Sequence, residues 1–304
     1  FEVVEVAAGL DGPTQLTLLP DGRLLVAELN GGEKDGTGRV IALDPAADGA
    51  TEVLFDDLLT PTGVAVVGDE IWVLEQRTLS RGPIDGGALT TVLDRLPFNG
   101  RSETTLTPTG QGTLLYGTSG SLRGGDTPVP GSGILWEHDP ETGSRAVSAG
   151  FKNPYGHTFD ADGRLWVTEM SDGRFDGEPA PDEVVEVVAG IDHGWPRCIG
   201  DRVPVVEFGG DPAVCGDGPP SQALFQPGAT PTSVVPSPWD AETLLVALWV
   251  ERRVVAVPTT SDGRPHEPTD VVTGEIRPQH LLVDGERVLV VDFDAGRIVA
   301  LQLT

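Results

Sequence analysis

The sequence contains little cysteine, methionine, aromatic side chain or basic charge. Of its 304 residues two are Cys and one is Met, 6% are aromatic, and 20 Lys and Arg stand against 47 Asp and Glu. The resulting net charge of −27 argues against nucleic acid and anionic membranes as partners. Either solubility in a salty or extracellular setting or cation binding explains so acidic a surface. No apolar run approaches the roughly 20 residues that cross a bilayer, so we expect no membrane span.

The two cysteines, Cys198 and Cys215, lie in one segment rich in Gly and Pro. Two cysteines that close a short loop predict a disulfide and an oxidising compartment. The chain starts at Phe1 inside an apparent strand and shows no signal peptide. We therefore expect an extracellular or periplasmic protein whose export signal has been removed, and a monomer.

The chain also contains 40 Gly and 26 Pro, which recur at turn-like intervals and favour an all-β fold. One unit recurs six times: a short strand, a Gly/Asp/Pro turn, and a second apolar strand that ends at a polar residue. The six copies start near Gly12, Thr60, Arg101, Phe151, Thr230 and Arg277. Most spacings are about 40–50 residues, the period of propeller blades.

We therefore predict a single six-bladed β-propeller domain over residues 1–304, with a loop-rich insertion at 171–228. The last unit supplies only three strands, whereas Phe1 to Ala7 (FEVVEVA) reads as a strand without a partner. That strand is predicted to complete the last blade as its outer edge, because closing the ring removes exposed sheet edges.

The residues that end the second strands recur in register. They are Glu28, Glu75, Glu169 and Asp292. Either they lie solvated in turns, or they converge in the central channel, where like charges require a cation such as Ca²⁺. Glu28 and Glu75 are therefore candidate metal ligands. Trp249 takes this position in the fifth unit, where it could stack on a sugar or a flat cofactor. His157 and His280 are either satisfied, half-buried residues or side chains that approach the channel.

Several motifs occur in a fixed order along the chain. They are GLDGPTQLTLLPDGRLLVAE from Gly9, FKNPYGHTFDADGRLWVTE from Phe151, PDEVVEVVAG from Pro181, DHGWPRC from Asp192, and Arg277-Pro278. In these motifs the chain resembles the soluble glucose/sorbosone dehydrogenase family, six-bladed propellers that use pyrroloquinoline quinone (PQQ) and calcium. The resemblance implies a PQQ- and Ca²⁺-dependent dehydrogenase that acts on a small molecule, a sugar or a related alcohol or aldehyde.

The resemblance also implies site residues. The family's Arg-Asn pair, which contacts the quinone, reads Lys152-Asn153 in this chain, and lysine lacks the planar fork of arginine. Arg277 is either a further cationic contact for an acidic cofactor or a salt-bridged loop residue. The family's calcium is held largely by loop carbonyls just after the strand that ends in this chain at Glu169. This implies a metal site at Glu169 and Ser171, beside Asp182 and Glu183.

The family's catalytic histidine does not carry over. At its place, before the third unit, the chain reads Asn99-Gly100-Arg101-Ser102-Glu103. Arg101 cannot accept a proton, since its pKa exceeds about 12. Glu103 either substitutes as the base or pairs with Arg101, and these two residues are the candidate catalytic groups.

Two other functions stay open. One is a propeller that has lost the redox chemistry and serves as a ligand-binding or scaffold module. The other is a Ca²⁺-dependent, lactonase-like hydrolase that works through channel carboxylates with His157 or His280.

Overall fold

The computed structural model describes residues 1–47, 49–100, 104–125, 127–261 and 263–303. These residues form six four-stranded antiparallel sheets. The first strand of each sheet is innermost and borders the first strands of its neighbours around a central channel. The predicted six-bladed β-propeller is confirmed.

The first half of the chain supplies three blades, preceded by β1 (Glu2–Ala8). Blade one contains β2 (Pro13–Leu18), β3 (Leu24–Glu28), β4 (Gly38–Asp44), a 3-10 turn (Pro45–Ala47) and β5 (Ala50–Leu58). Blade two contains β6 (Gly63–Val67), β7 (Glu70–Glu75), β8 (Thr78–Pro83) and β9 (Thr90–Leu93). Blade three contains β10 (Thr107–Pro108), β11 (Leu114–Thr118), the small hairpin β12 (Leu122–Arg123) and β13 (Thr127–Pro128), then β14 (Ile134–Asp139) and β15 (Gly143–Ala149).

The second half of the chain supplies the other three blades. Blade four contains β16 (Pro154–Phe159), β17 (Leu165–Glu169), β20 (Asp182–Val187) and β23 (Ser221–Phe225). Between these strands lie β18 (Arg174–Phe175), β19 (Glu178–Pro179), β21 (Cys198–Ile199), β22 (Val203–Pro204), a 3-10 turn (Val206–Phe208) and the helix α1 (Pro212–Gly216). Blade five contains β24 (Pro231–Pro236), β25 (Thr243–Leu248), β26 (Arg253–Pro258) and β27 (Thr269–Thr273). Blade six contains β28 (Pro278–Asp284), β29 (Arg287–Asp292) and β30 (Arg297–Gln302).

The N-terminal strand closes the ring. β1 pairs antiparallel with β30, with Glu2 opposite Gln302, so the sheet order of blade six is β1-β30-β29-β28. The outer strand of the last blade thus comes from the first residues of the chain, as predicted from the unpaired FEVVEVA segment. Closure of this kind holds the two chain ends in one sheet.

A repeated hydrogen bond joins neighbouring blades near the channel. In four blades a threonine hydroxyl at the first strand donates to a backbone carbonyl of the next blade. The bonds are Thr14 Oγ1 to Pro61 O (2.6 Å), Thr62 Oγ1 to Thr104 O (3.2 Å), Thr105 Oγ1 to Tyr155 O (3.1 Å) and Thr232 Oγ1 to Pro278 O (3.2 Å). In blade four Tyr155 takes this place, and it is followed by Gly156, where a Cβ would lie 2.8 Å from Ser233 Cα. Glycine therefore allows blades four and five to approach closely.

The hydrophobic core lies between blades. Leu16 and Ile41 of blade one pack in one cluster with Leu289 and Ile298 of blade six. The large indole of Trp166 is fully buried between blades four and five. Because each blade buries apolar side chains on its flanks, the ring is stabilised by apolar burial at every interface described.

The range predicted as an insertion, 171–228, contains the third and fourth strands of blade four as well as the short hairpins. It also holds the predicted disulfide, which joins Cys198 to Cys215 with a Cα–Cα distance of 5.7 Å. Asp211 caps α1 by accepting from the backbone N–H groups of Ala213 and Val214. Within the described residues, no helix has the length and apolar character needed to cross a membrane.

Candidate functional site

A cavity of about 330 Å³ opens at the end of the channel where first strands begin and second strands end. Its walls come from the first strands of blades one, two, four, five and six and from the loops after four second strands. Three carboxylic acids of the described residues line it: Glu33, Asp172 and Asp182. The volume falls in the range of small-molecule sites.

Two aromatic side chains, Trp249 and Phe293, form one wall. Trp249, which directly follows β25, lines the cavity, and the guanidinium of Arg277 lies 4.4 Å from the centre of its ring. Phe293 packs edge-on against Trp249 at 5.8 Å. Arg277 Nη1 forms an ion pair with Asp294 at 3.0 Å. Trp249 Nε1 and Arg277 Nε are buried and have no partner within the described protein, so two donors remain unused.

Lys152 and Asn153 lie at the start of blade four. Asn153 lines the cavity, accepts from Ser119 Oγ at 3.1 Å through Oδ1, and is 5% exposed. The Lys152 ammonium lies 3.9 Å from the Asp172 carboxylate, donates to the Gly120 carbonyl and stands 5.8 Å from the Trp195 ring. The structure thus brings Asn153, and through Asp172 also Lys152, to the same cavity as Trp249.

Asp182 connects the loop after β17 with the start of blade five. One carboxylate oxygen accepts from Ser171 N and the other from Thr230 N, each at 2.8 Å. Burial raises the pKa of Asp182 to about 6, although these two bonds oppose the rise. The predicted neighbours Ser171 and Asp182 therefore contact each other directly, and Asp182 faces the cavity.

Glu169 and Glu183 lie apart from the main cavity. They are directly opposite on β17 and β20 and line a separate enclosed space of about 20 Å³. Glu169 is 4% exposed, and its Oε2 is buried without a partner in the described protein. Burial raises the pKa of Glu183 to about 7, and burial together with Glu183 holds the pKa of Glu169 well above its ordinary value. Two carboxylic acids at directly opposite positions of neighbouring strands favour a shared proton or a bound cation.

The carboxylates that end the second strands do not line this cavity. Each one instead accepts the backbone N–H of a residue one or two positions before the first-strand proline of its own blade. The acceptors and donors are Glu28 and Asp11 (3.4 Å), Glu75 and Leu59 (2.7 Å), Glu169 and Lys152 (2.5 Å), and Asp292 and Arg277 (3.0 Å). The strand ends are therefore tied together within each blade, because these N–H groups have no ladder partner there.

Glu28 and Asp292 have additional cationic partners. Glu28, which is fully buried, binds Arg39, and Asp292 accepts from Arg297 Nε at 2.9 Å. Glu75 has a raised pKa because it is partly buried. None of the four carboxylates that end second strands is part of the described cavity wall. The role of Glu28 and Glu75 as metal ligands stays a prediction.

The candidate catalytic residues Arg101 and Glu103 lie outside the described residues. Among the residues that are described, no group of three or more His, Cys, Asp and Glu side chains is arranged to hold a metal ion. His157 and His280 are buried in the innermost strands, 4% and 8% exposed, two residues after Tyr155 and one after Gln279.

Several cavity residues are not evident from the sequence. Glu33, Asp172 and Phe293 lie in loops after second strands, where residue type alone gives no sign of orientation. Thr60 and Thr230 line the cavity with φ of 51° and 59°. A left-handed backbone is strained for a β-branched residue. The Thr-Pro repeated at the start of two blades is the available signal, and it does not reveal the sign of φ.

No family model matches the chain, and no curated protein matches it by sequence. Solved structures do. An AA12 carbohydrate-active enzyme from Trichoderma reesei, in its calcium structure, has a TM-score of 0.82 at 16% identity over 100% of this chain and 95% of that one. PQQ-bound aldose sugar dehydrogenase from Streptomyces coelicolor has a TM-score of 0.74 at 19% identity, covering 99% and 98%. The PQQ domain of pyranose dehydrogenase from Coprinopsis cinerea, in its holo form, has a TM-score of 0.74 at 18% identity, covering 99% and 95%. The predicted resemblance is thus confirmed at the level of fold: this chain has the six-bladed propeller architecture of PQQ-dependent sugar dehydrogenases.

Proposed function

We propose that the protein is a PQQ- and Ca²⁺-dependent dehydrogenase that oxidises a sugar or a related alcohol in the channel-mouth cavity. The observation that carries this proposal is the Trp249–Arg277 pair, in which an indole that lines the cavity packs against a guanidinium group. Proteins of the same fold include a PQQ-bound sugar dehydrogenase and the PQQ domain of a pyranose dehydrogenase.

Some of the residues at the cavity suit a flat, acidic quinone, and others do not. PQQ is planar and carries three carboxylates, which match the indole face of Trp249, the guanidinium of Arg277 and the ammonium of Lys152. The cavity lining also includes Asp172 and Asp182, which would repel an anion. A bound cation removes this conflict, so the two cofactors are proposed together.

Oxygen donors for Ca²⁺ are present in two places. Asp182 holds Ser171 at the cavity, where the loop after β17 could supply carbonyl oxygens. Glu169 and Glu183 border the second, enclosed space, whose volume is enough for one ion or one water. The unpartnered Glu169 Oε2 supports a cation there.

The reaction requires a hydride acceptor, and PQQ supplies one when bound. The chain's own residues then have three tasks. Trp249 and Arg277 hold the plane of the cofactor, and Asn153, fixed through Ser119, offers an amide toward the cavity. A base must take the hydroxyl proton of the substrate. Glu103, beside Arg101, stays our proposed base.

The test is equilibrium binding of PQQ to chelator-treated and Ca²⁺-loaded protein, followed by absorbance, with dye reduction by sugars as a second readout. We expect Ca²⁺-dependent binding that Trp249→Ala weakens at least tenfold. Trp239→Ala is the matched control, since Trp239 lies at another surface cleft. Absence of binding at high PQQ concentration would refute the proposal and favour a ligand-binding or scaffold propeller.

The hydrolase alternative receives less support from the structure. It relied on carboxylates gathered in the channel, and Glu28 and Asp292 are instead engaged with Arg39 and Arg297. The disulfide supports an oxidising, extracellular or periplasmic location, and we propose a monomer that acts on small molecules.

A further inference from the structure

The hydrogen-bonding groups that line the channel-mouth cavity are mostly acceptors, and the threonines show this best. Each threonine hydroxyl of the described lining donates its one hydrogen to a backbone carbonyl. A hydroxyl has one donor hydrogen and two acceptor lone pairs, so these side chains can only accept from a ligand. The bonds run from Thr14 to Pro61 (2.6 Å), from Thr60 to Glu33, from Thr62 to Thr104 (3.2 Å), from Thr230 to Gly228 (3.2 Å) and from Thr232 to Pro278 (3.2 Å).

The donors of the lining are few. Asn153 and Gln279 contribute amide N–H groups, and Gln279 Nε2 already donates to Tyr155 Oη at 3.0 Å. The indole N–H of Trp249 is buried rather than open to the cavity. The cavity therefore offers a ligand many lone pairs and few hydrogens.

The charged residues of the lining are acceptors too. Glu33, Asp172 and Asp182 belong to it, whereas no Lys or Arg of the described residues does. A carboxylate accepts hydrogen bonds and donates none when it is ionised. An anion in this cavity would meet both repulsion and a shortage of donors.

The cations that border the lining do not reverse this charge. Lys152 Nζ lies 3.9 Å from the Asp172 carboxylate. Arg252 and Arg277 both pair with Asp294, which leaves one of these two positive charges without a carboxylate. The acids still outnumber the bases when all of these residues are counted. PQQ, with three carboxylates, would add more negative charge than a bound Ca²⁺ would remove.

Aromatic and thioether side chains complete the lining. They are Tyr155, Met170, Trp249 and Phe293. Aromatic rings offer large apolar surfaces to the C–H face of a sugar, and their π faces attract organic cations. An ammonium group has three donors and no acceptor, which complements the lone pairs of the threonines and acids. The lining therefore suits a sugar-like ligand that carries an ammonium group.

We propose that the substrate of this cavity is a protonated amino sugar, and that neutral and acidic sugars bind less tightly. This inference deepens the proposed dehydrogenase function and rests on it for the reaction. The preference for positive charge is a property of binding and is measured without the cofactor.

The test compares D-glucosamine with three analogues that share its pyranose ring: D-glucose, N-acetyl-D-glucosamine and D-glucuronate. Binding to the whole, chelator-treated chain is followed at pH 7 by NMR. The side-chain amide signals of Asn153 and Gln279 are the readout, so that attraction of cations to the acidic surface elsewhere is not counted. We expect glucosamine to bind at least about tenfold more tightly than each analogue, because hydrogen bonds to charged groups are the stronger ones. Raising the salt concentration from about 0.01 M to about 0.15 M should reduce this ratio, since the Debye length shortens to about 8 Å.

Glu33→Gln removes one charge of the lining and keeps the size of the side chain. It should lower the advantage of glucosamine over glucose about three- to fivefold and leave the affinity for glucose unchanged. Glu178→Gln is the matched control, because Glu178 is exposed and lies outside the lining. Absence of glucosamine binding, equal wild-type affinities for glucosamine and glucose, or a preference that survives in the double variant Glu33→Gln and Asp172→Asn would each overturn the proposal.

Dye reduction by PQQ- and Ca²⁺-loaded protein separates this inference from the proposed function. We expect a higher kcat/KM for glucosamine than for glucose. Charge-selective binding with no dye reduction by any of the four sugars would refute the dehydrogenase and support the ligand class. Equal kcat/KM for glucosamine, glucose and glucuronate would support the dehydrogenase and overturn the ligand class.

Discussion

Glu183→Gln should stabilise the metal-free protein at pH 8. Burial raises the pKa of Glu183 from its ordinary 4.5 to about 7, and its Oε2 accepts from Ser221 Oγ. A glutamine keeps this acceptor without a charge. Its amide can also donate to the unpartnered Oε2 of Glu169, which lies directly opposite on β17.

The sign of the pH dependence follows from the raised pKa of Glu183. The folded protein binds this proton more tightly than the unfolded chain, so the contribution to stability is complete below about pH 4.5. The contribution of Glu183 to stability is lost as the pH rises through about 7. The difference between 4.5 and about 7 corresponds to about 3 kcal/mol at pH 8. At pH 5 most of the wild-type Glu183 is still protonated, so the gain from glutamine should fall below about 1 kcal/mol.

The assay is urea unfolding of both proteins at pH 5 and pH 8, in chelator. Glu178→Gln serves as the control, because Glu178 is exposed and lies in the loop segment between β17 and β20. We expect Glu178→Gln to change the free energy of unfolding by less than about 0.5 kcal/mol at either pH. A Glu183→Gln protein that is less stable than wild type at pH 8, or equally shifted at both pH values, would refute the reasoning.

Three further perturbations test the loops around the cavity. Thr230→Gly should raise the free energy of unfolding by up to about 1 kcal/mol, because it relieves a left-handed β-branched residue; a lower melting temperature would contradict this. Asp182→Ala should lower the free energy of unfolding by about 2–4 kcal/mol, because two N–H groups, including that of Ser171, lose their acceptor. Asp182→Asn should lower it less, and equal urea midpoints for the two variants would contradict this explanation. Replacing Cys198 and Cys215 together by Ser should cost roughly 3 kcal/mol in urea unfolding, and no change would show that the bridge does not constrain the unfolded chain.

The fold was predictable because it depends on repetition. A period-two apolar pattern followed by a Gly/Asp turn fixes each hairpin locally, and six copies leave ring closure as the way to cover the sheet edges. The unpaired segment at Phe1 indicated which strand completes blade six, and the cysteine spacing indicated the disulfide. These features need only local chemistry and strand count.

The site was less predictable because it depends on side-chain direction. Glu28 and Glu75 occupy the repeated position that Glu169 also occupies, yet each binds a backbone N–H of its own blade. A sequence shows that a carboxylate recurs; it does not show which donor the carboxylate meets. By contrast, Asn153 and Trp249 both line the cavity, because strand entry and strand exit meet at the same end of the channel.

Blade five departs from the repeat in a way that places an acid at the cavity. In blades one, two, four and six the carboxylate that ends the second strand accepts the N–H of a residue just before the first-strand proline. Blade five has Leu248 at that position, opposite Pro231, and the side chain of Leu248 cannot accept a hydrogen bond. Asp182 of blade four accepts the N–H of Thr230 instead. Trp249 lies one residue later than the sequence pattern indicated, at a position where Met170 and Phe293 also line the cavity. The missing carboxylate of blade five therefore accounts for the buried acid in the cavity wall, whereas the indole occupies a position that lines the cavity in other blades as well.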